Sequence, residues 1–324
     1  MTRKALMVVA VVLAFAVTAS AWESLTHAYL MEMIKNGAGN TTNDERYGIT
    51  GPDFFNFLLS SPYRSFLYDQ THEEFMRVWH MAGNGMKGTP EEALAMGFVC
   101  HNGVWGADLT AHYAALTENP AEGYVISKAI VLEMYLAAGG LWGQLGLGGD
   151  DPRSAAIRRE LCHEIIEIIV DIQVWRLDKA IGGRYLQAVM LRDASFGELL
   201  GSAYAGVLAE YSLTTAAPID RPAAMAVIGE AEAGYRYQML YYASIFNTTD
   251  EAAVIAGLGN YLALLAHDGF GLPIDGATVA GLLQLVQSFN LTYDVDEELG
   301  ATVDHVQEQL AANKVVYGPK GHLR

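Results

Sequence analysis

Between Pro152 and about Lys179 the chain reads as one long helix whose centre is apolar on nearly every side, with Ile165, Ile166, Ile168, Ile169 and Val170 close together. A helix without a polar face cannot lie on a surface, so other elements must surround it. Two ionisable residues interrupt this run. His163 and Glu167 are four apart and therefore share a helix face, roughly 6 Å apart along the axis. Burying an unpaired carboxylate costs several kcal/mol, so Glu167 requires a cation. A metal ion would serve, as would a lysine or arginine from a neighbouring helix, or Arg158 or Arg159 nearby in sequence.

The remaining signals are helical too. Trp22 to Lys35 carries Tyr29, Leu30, Met33 and Ile34 at helix-like spacing. Asn36 to Thr50 reads as a polar loop, and Gly51-Pro52-Asp53 as a turn feeding the apolar stretch from Phe54. Thr89-Pro90-Glu91-Glu92 is a strong helix start, with a capping residue, proline at the first position and acids at the positive dipole end. Gly140 to Gly149 is a linker: it precedes a helix, but no lysine-threonine signature follows, and Asp150 and Asp151 would repel a phosphate. Past Gly182 the pattern stays helical to about Val316, with breaks near Pro218 and Pro222, Asn247, and Gly269 to Pro273. No strand-like alternation stands out, and an all-α bundle is the expectation. A composition of 52% apolar and 18% charged residues excludes a mainly disordered chain. A formal charge of −17 disfavours wrapping double-stranded nucleic acid or docking on an anionic membrane face.

The first 21 residues read as a secretory leader. Arg3 and Lys4 precede 13 apolar residues from Ala5 to Val17, and small residues lead to Ala21. The run is short for a membrane span, and no later apolar run reaches 18 residues, so a secreted or periplasmic protein without a transmembrane segment is expected. Cleavage after Ala21 would leave Trp22 with a free amine beside its own carbonyl, a pair able to chelate one metal ion.

A second cluster joins the first. Asp108 and His112 are four apart, and on a continuous helix His101 would lie within about 20° of the same line but some 16 Å from His112. Gly103 and Gly106 offer a break that would bring His101 closer. Upstream, His27, Asp53 and His72 are weaker candidates, since Asp53 could simply cap a helix from Phe54. Imidazole with carboxylate and no thiolate suits catalytic zinc. Cys100 and Cys162 each precede a candidate histidine; two buried free thiols are expected over a disulfide. His80, His267, His305 and His322 carry no such pattern.

In this ordered set the chain resembles the bacterial zinc-dependent phospholipases C, relatives of the trinuclear single-strand nucleases. The resemblance runs from Trp22 to about Glu167. Gly51-Pro52-Asp53-Phe54-Phe55 looks like the family's aspartate motif, and His163-x3-Glu167 is similar to the phospholipase ending. The resemblance implies a zinc-binding helical domain over 22–200, with 201–324 a helical C-terminal region, in the same bundle or apart. It also implies three zinc ions. Trp22 and His27 would hold one, with Asp108 shared. Asp53, His72 and His101 would hold the second, and His112, His163 and Glu167 the third. Asp53 would orient or deprotonate the attacking water. The bridging aspartate follows His101 by seven residues rather than the family's four, as though three were inserted. The activity implied is a secreted phosphodiesterase acting on phospholipid. A nuclease or nucleotidase using the same ions, and a non-catalytic protein with a degenerate metal site, are the alternatives.

Overall fold

Asp151 accepts a hydrogen bond from the Ser154 backbone N–H at 3.0 Å, Pro152 takes the first helical position, and the helix so started runs Pro152–Leu177. It buries thirteen side chains, from Ile157 to Trp175, against Ser24–Ile34, Tyr124–Ala138 and Gly276–Ser288. The computed structural model describes residues 22–316 apart from 59–60, 84–85, 118–120, 145–146 and 271–273, so the expected leader over residues 1–21 and His322 lie outside it. Among the described residues all regular structure is helical, as expected for an all-α bundle. None of these helices is long and apolar enough to cross a membrane.

Short helical pieces replace two predicted loops. Within 36–50, Thr42 and Glu45 form a capping box that starts the Asn43–Gly48 helix. Within the 140–149 linker, Leu141–Gln144 makes one helical turn. Gly48 and Gly97 let Asn43–Gly48 cross Pro90–His101 at backbone contact: a Cβ on Gly97 would stand 2.3 Å from the Glu45 carbonyl oxygen. Beyond Ile181 the chain continues as Ile181–Met190, Ser195–Ser212, Arg221–Ile245, Glu251–Phe270, Gly276–Ser288 and Val295–Ala312. The Pro218–Pro222 and Asn247 breaks fall as expected, and those at 191–194 and 289–294 carry no proline; of the break expected at Gly269 to Pro273, Gly269 and Phe270 are helical and 271–273 lie outside the described residues. Apolar side chains from both 22–200 and 201–324 belong to one buried cluster, from Trp22 to Val315, so the C-terminal helices share the core.

Candidate metal centre

His72 and His101 are held by their own backbone surroundings. Arg64–Glu73 carries His72, and its Nδ1 faces the Tyr68 carbonyl one turn back at 2.8 Å. His101 ends its helix, and its Nδ1 faces the Ile49 carbonyl at 2.8 Å, which the close glycine crossing presents to it. A carbonyl only accepts, so both Nδ1 atoms carry the hydrogen and both Nε2 atoms keep a lone pair when the rings are neutral. These two Nε2 atoms lie 3.2 Å apart. Two neutral rings cannot hydrogen-bond in that arrangement; only a proton or a metal ion can sit between them. Two nitrogens on one tetrahedral zinc would be about 3.3 Å apart. Asp53, in the 3-10 segment Gly51–Phe57, places Oδ1 at 3.7 Å from each Nε2. It therefore faces the histidines and does not cap the following segment.

The chain breaks after His101, as Gly103 and Gly106 allow. Asn102 Oδ1 accepts from the N–H groups of Val104, Trp105 and Gly106, and the next helix starts at Ala107. A Cβ on Gly106 would meet the His101 carbonyl oxygen at 2.3 Å, and one on Gly103 would meet Asp108 Oδ2 at 2.9 Å. This tight return carries the late aspartate back to its histidine, and His72, His101 and Asp108 converge within 4.8 Å. His112 donates from Nδ1 to Asp108 Oδ1 at 2.7 Å, leaving its Nε2 free for the third group. There His112 Nε2 and His163 Nε2 are 2.9 Å apart, and Glu167 Oε1 stands 3.5 and 3.1 Å from them.

His27 reaches the cluster through a carboxylate that the spacing argument missed. Asp171, one turn past Glu167, accepts from the N–H groups of Leu25 and Thr26 at 3.1 and 2.8 Å and from Tyr242 Oη at 2.7 Å. It thereby caps Ser24–Ile34 from another helix and fixes His27, whose ring stacks on His101 at 4.2 Å. Both His27 nitrogens are buried without a hydrogen bond. His27 groups with Asp53 and His101. Extending the His163–Glu167 stripe along the helix would have found Glu160, Glu164 and Asp171 as well. Trp22 is buried with its ring 5.4 Å from Tyr124, and its neighbour Glu23 lines the same cavity as Asp53.

Burial dominates the electrostatics. It drives the His27 imidazole down to about 3, so that ring is neutral at any physiological pH. Burial also lowers His101. It lowers His72 too, but Asp53 and Asp108 outweigh it and raise that ring, so of the two His72 has the greater affinity for a proton. Burial pushes Glu167 well above the carboxylate range against the pull of His112. Glu23 rises to about 8 through burial and the charge of Asp171. Cys100 and Cys162 are buried free thiols, raised by burial, as expected. His80 and His267 are exposed and stand apart from these groups.

The donor set fits a metal ion. Ligand atoms from six elements converge, a buried imidazole has both nitrogens orphaned, and neither oxygen of the buried Glu167 accepts a hydrogen bond. The chain matches no family model, no curated protein and no solved structure.

A cavity of about 330 Å³ adjoins the cluster. Phe57, Trp142, Leu161 and Met239 form part of its wall, with Leu265 and Leu282 from the C-terminal helices. Glu23, Asp53, Glu160 and Glu164 also line it.

Proposed function

We propose that this chain is a zinc-dependent phosphodiesterase, and that its substrate is a phospholipid cleaved in the manner of a phospholipase C. The observation that carries this reading is the double position of Asp53, which faces the imidazole pair and also forms part of the apolar cavity wall. A phosphodiester held at the cluster would have its hydrocarbon portion within reach of that cavity. A nucleobase could stack on the aromatic part of these walls, but hydrocarbon chains fill their aliphatic length better, which favours lipid over nucleic acid.

His27, Asp53 and His101, then His72 with Asp108, then His112, His163 and Glu167, would hold the ions. After leader removal Trp22 would add its amine and carbonyl. Bound zinc would offset the growing charge on phosphate oxygens and make a water acidic enough to ionise near neutral pH. Asp53 would orient that water and accept its proton; Asn56 Nδ2 donates to its Oδ1 at 3.2 Å and burial raises its proton affinity. The Tyr68 and Ile49 carbonyls keep His72 and His101 in the tautomer that ligates. The apolar wall excludes water from the remainder of the substrate.

The test joins four measurements on secreted protein. Intact mass should place the amino terminus at Trp22. Elemental analysis should find up to three zinc ions per chain. Paired assays should show turnover of phosphatidylcholine and none of single-stranded DNA; the reverse would make the protein a nuclease. Asp53→Asn should lower kcat by about 10²–10⁴-fold. A zinc content near zero would remove both enzymatic readings.

A further inference from the structure

Beside the imidazole cluster lies a group of different chemistry. Glu23, Glu164 and Glu167 bring one carboxylate oxygen each within 4.8 Å of one another. Glu167 is fully buried, and neither of its oxygens accepts a hydrogen bond. Glu23 uses Oε2 to cap the Ser24 N–H at 3.0 Å. None of the three forms an ion pair with a lysine or arginine among the described residues; Arg64 acts on Glu164 only from a distance, together with Glu160. Ionised, three carboxylates this close and walled by apolar side chains repel one another strongly, so the group either holds protons or shares a cation.

The donor set selects the cation. Imidazole nitrogens favour zinc, whereas a purely carboxylate set favours a hard ion. A carboxylate has two oxygens, so Glu167 can serve the imidazoles and the acidic group together.

We propose that Glu23, Glu164 and Glu167 form a separate site for a hard divalent cation of the calcium class, sharing Glu167 with the imidazole cluster. Glu23 and Glu164 line the cavity, so the site opens onto that space and water can complete its coordination. The site does not depend on hydrolysis, and its occupancy is measurable whatever the substrate proves to be.

The experiment uses the full secreted chain, first loaded with zinc, dialysed, and then titrated with calcium chloride in a calorimeter. One further calcium ion per chain should bind without displacing zinc, which elemental analysis counts in parallel. Glu23→Gln and Glu164→Gln should each weaken calcium binding at least tenfold while leaving the zinc count unchanged. Thermal unfolding supplies a second readout that also checks folding: calcium should raise the Tm of the wild type and leave both variants unmoved. Anomalous scattering from manganese-soaked crystals should put a peak between the three carboxylates. Absence of calcium binding by the zinc-loaded wild type would overturn the proposal, as would variants that bind calcium like the parent.

Discussion

Glu167 shows how one buried residue can make a protein depend on an ion. It sits among isoleucines, 3.1 Å from His163 Nε2, with no hydrogen bond to either oxygen. In the metal-free chain it resists ionisation, because burial outweighs the pull of His112. Glu167→Ala should remove one zinc ion and most activity, read by elemental analysis and by phospholipid turnover. A variant that kept both would show that Glu167 is not a ligand. The same substitution should not destabilise the metal-free chain as an ordinary core truncation would, because the lost packing is offset by removal of a buried carboxyl group with no hydrogen bond to either oxygen. Chemical denaturation of the chelated protein reads that difference.

At the level of elements, the centre depends on how Ser24–Ile34 docks on Pro152–Leu177. Asp171 makes that joint through two N–H groups, the Thr26 hydroxyl at 2.5 Å and Tyr242. Asp171→Ala would leave these buried donors unsatisfied and should cost about 3 kcal/mol in urea unfolding. It should also lose zinc without removing a ligand, because His27 loses its anchor. A second joint is the glycine crossing. Gly97→Ala pushes a methyl into the Glu45 carbonyl, moves Ile49 and releases His101 Nδ1. Overpacking of this kind costs about 1–3 kcal/mol, and the Tm should fall accordingly.

Across the whole molecule the acidic groups impose a pH dependence whose sign zinc should reverse. Glu23 rises from 4.5 to about 8, and Asp171 from 3.8 to about 6, both chiefly through burial. Between those limits the folded metal-free chain binds more protons than the unfolded chain, so its stability falls as pH rises. The stabilisation is complete below about 4 and gone by about 8. Tm measured with chelator should therefore decline from pH 4.5 to 8. With zinc it should rise toward neutrality instead, because acid protonates the ligating imidazoles, among them His72 and His112, whose neighbours favour the charged ring. The cavity allows a separate test of substrate. Leu282→Trp narrows it from the C-terminal side and should slow turnover of long-chain phospholipid more than that of a short water-soluble phosphodiester.

Local spacing settled what belongs to single elements. The apolar run around Ile168 required a surrounded helix, Thr89-Pro90 and Asp151-Pro152 marked helix starts, and the four-residue intervals put His163 with Glu167 and Asp108 with His112 on shared faces. These relations involve residues a turn or two apart, whose geometry the helix itself fixes. The joining of those faces was decided elsewhere. Whether Asp108 could reach His101 depended on a glycine return closed by Asn102. The place of His27 depended on Asp171, 145 positions away in the chain from Thr26. The cavity depended on helices beyond residue 250. Contacts between remote segments arise from packing, which no interval along the chain encodes.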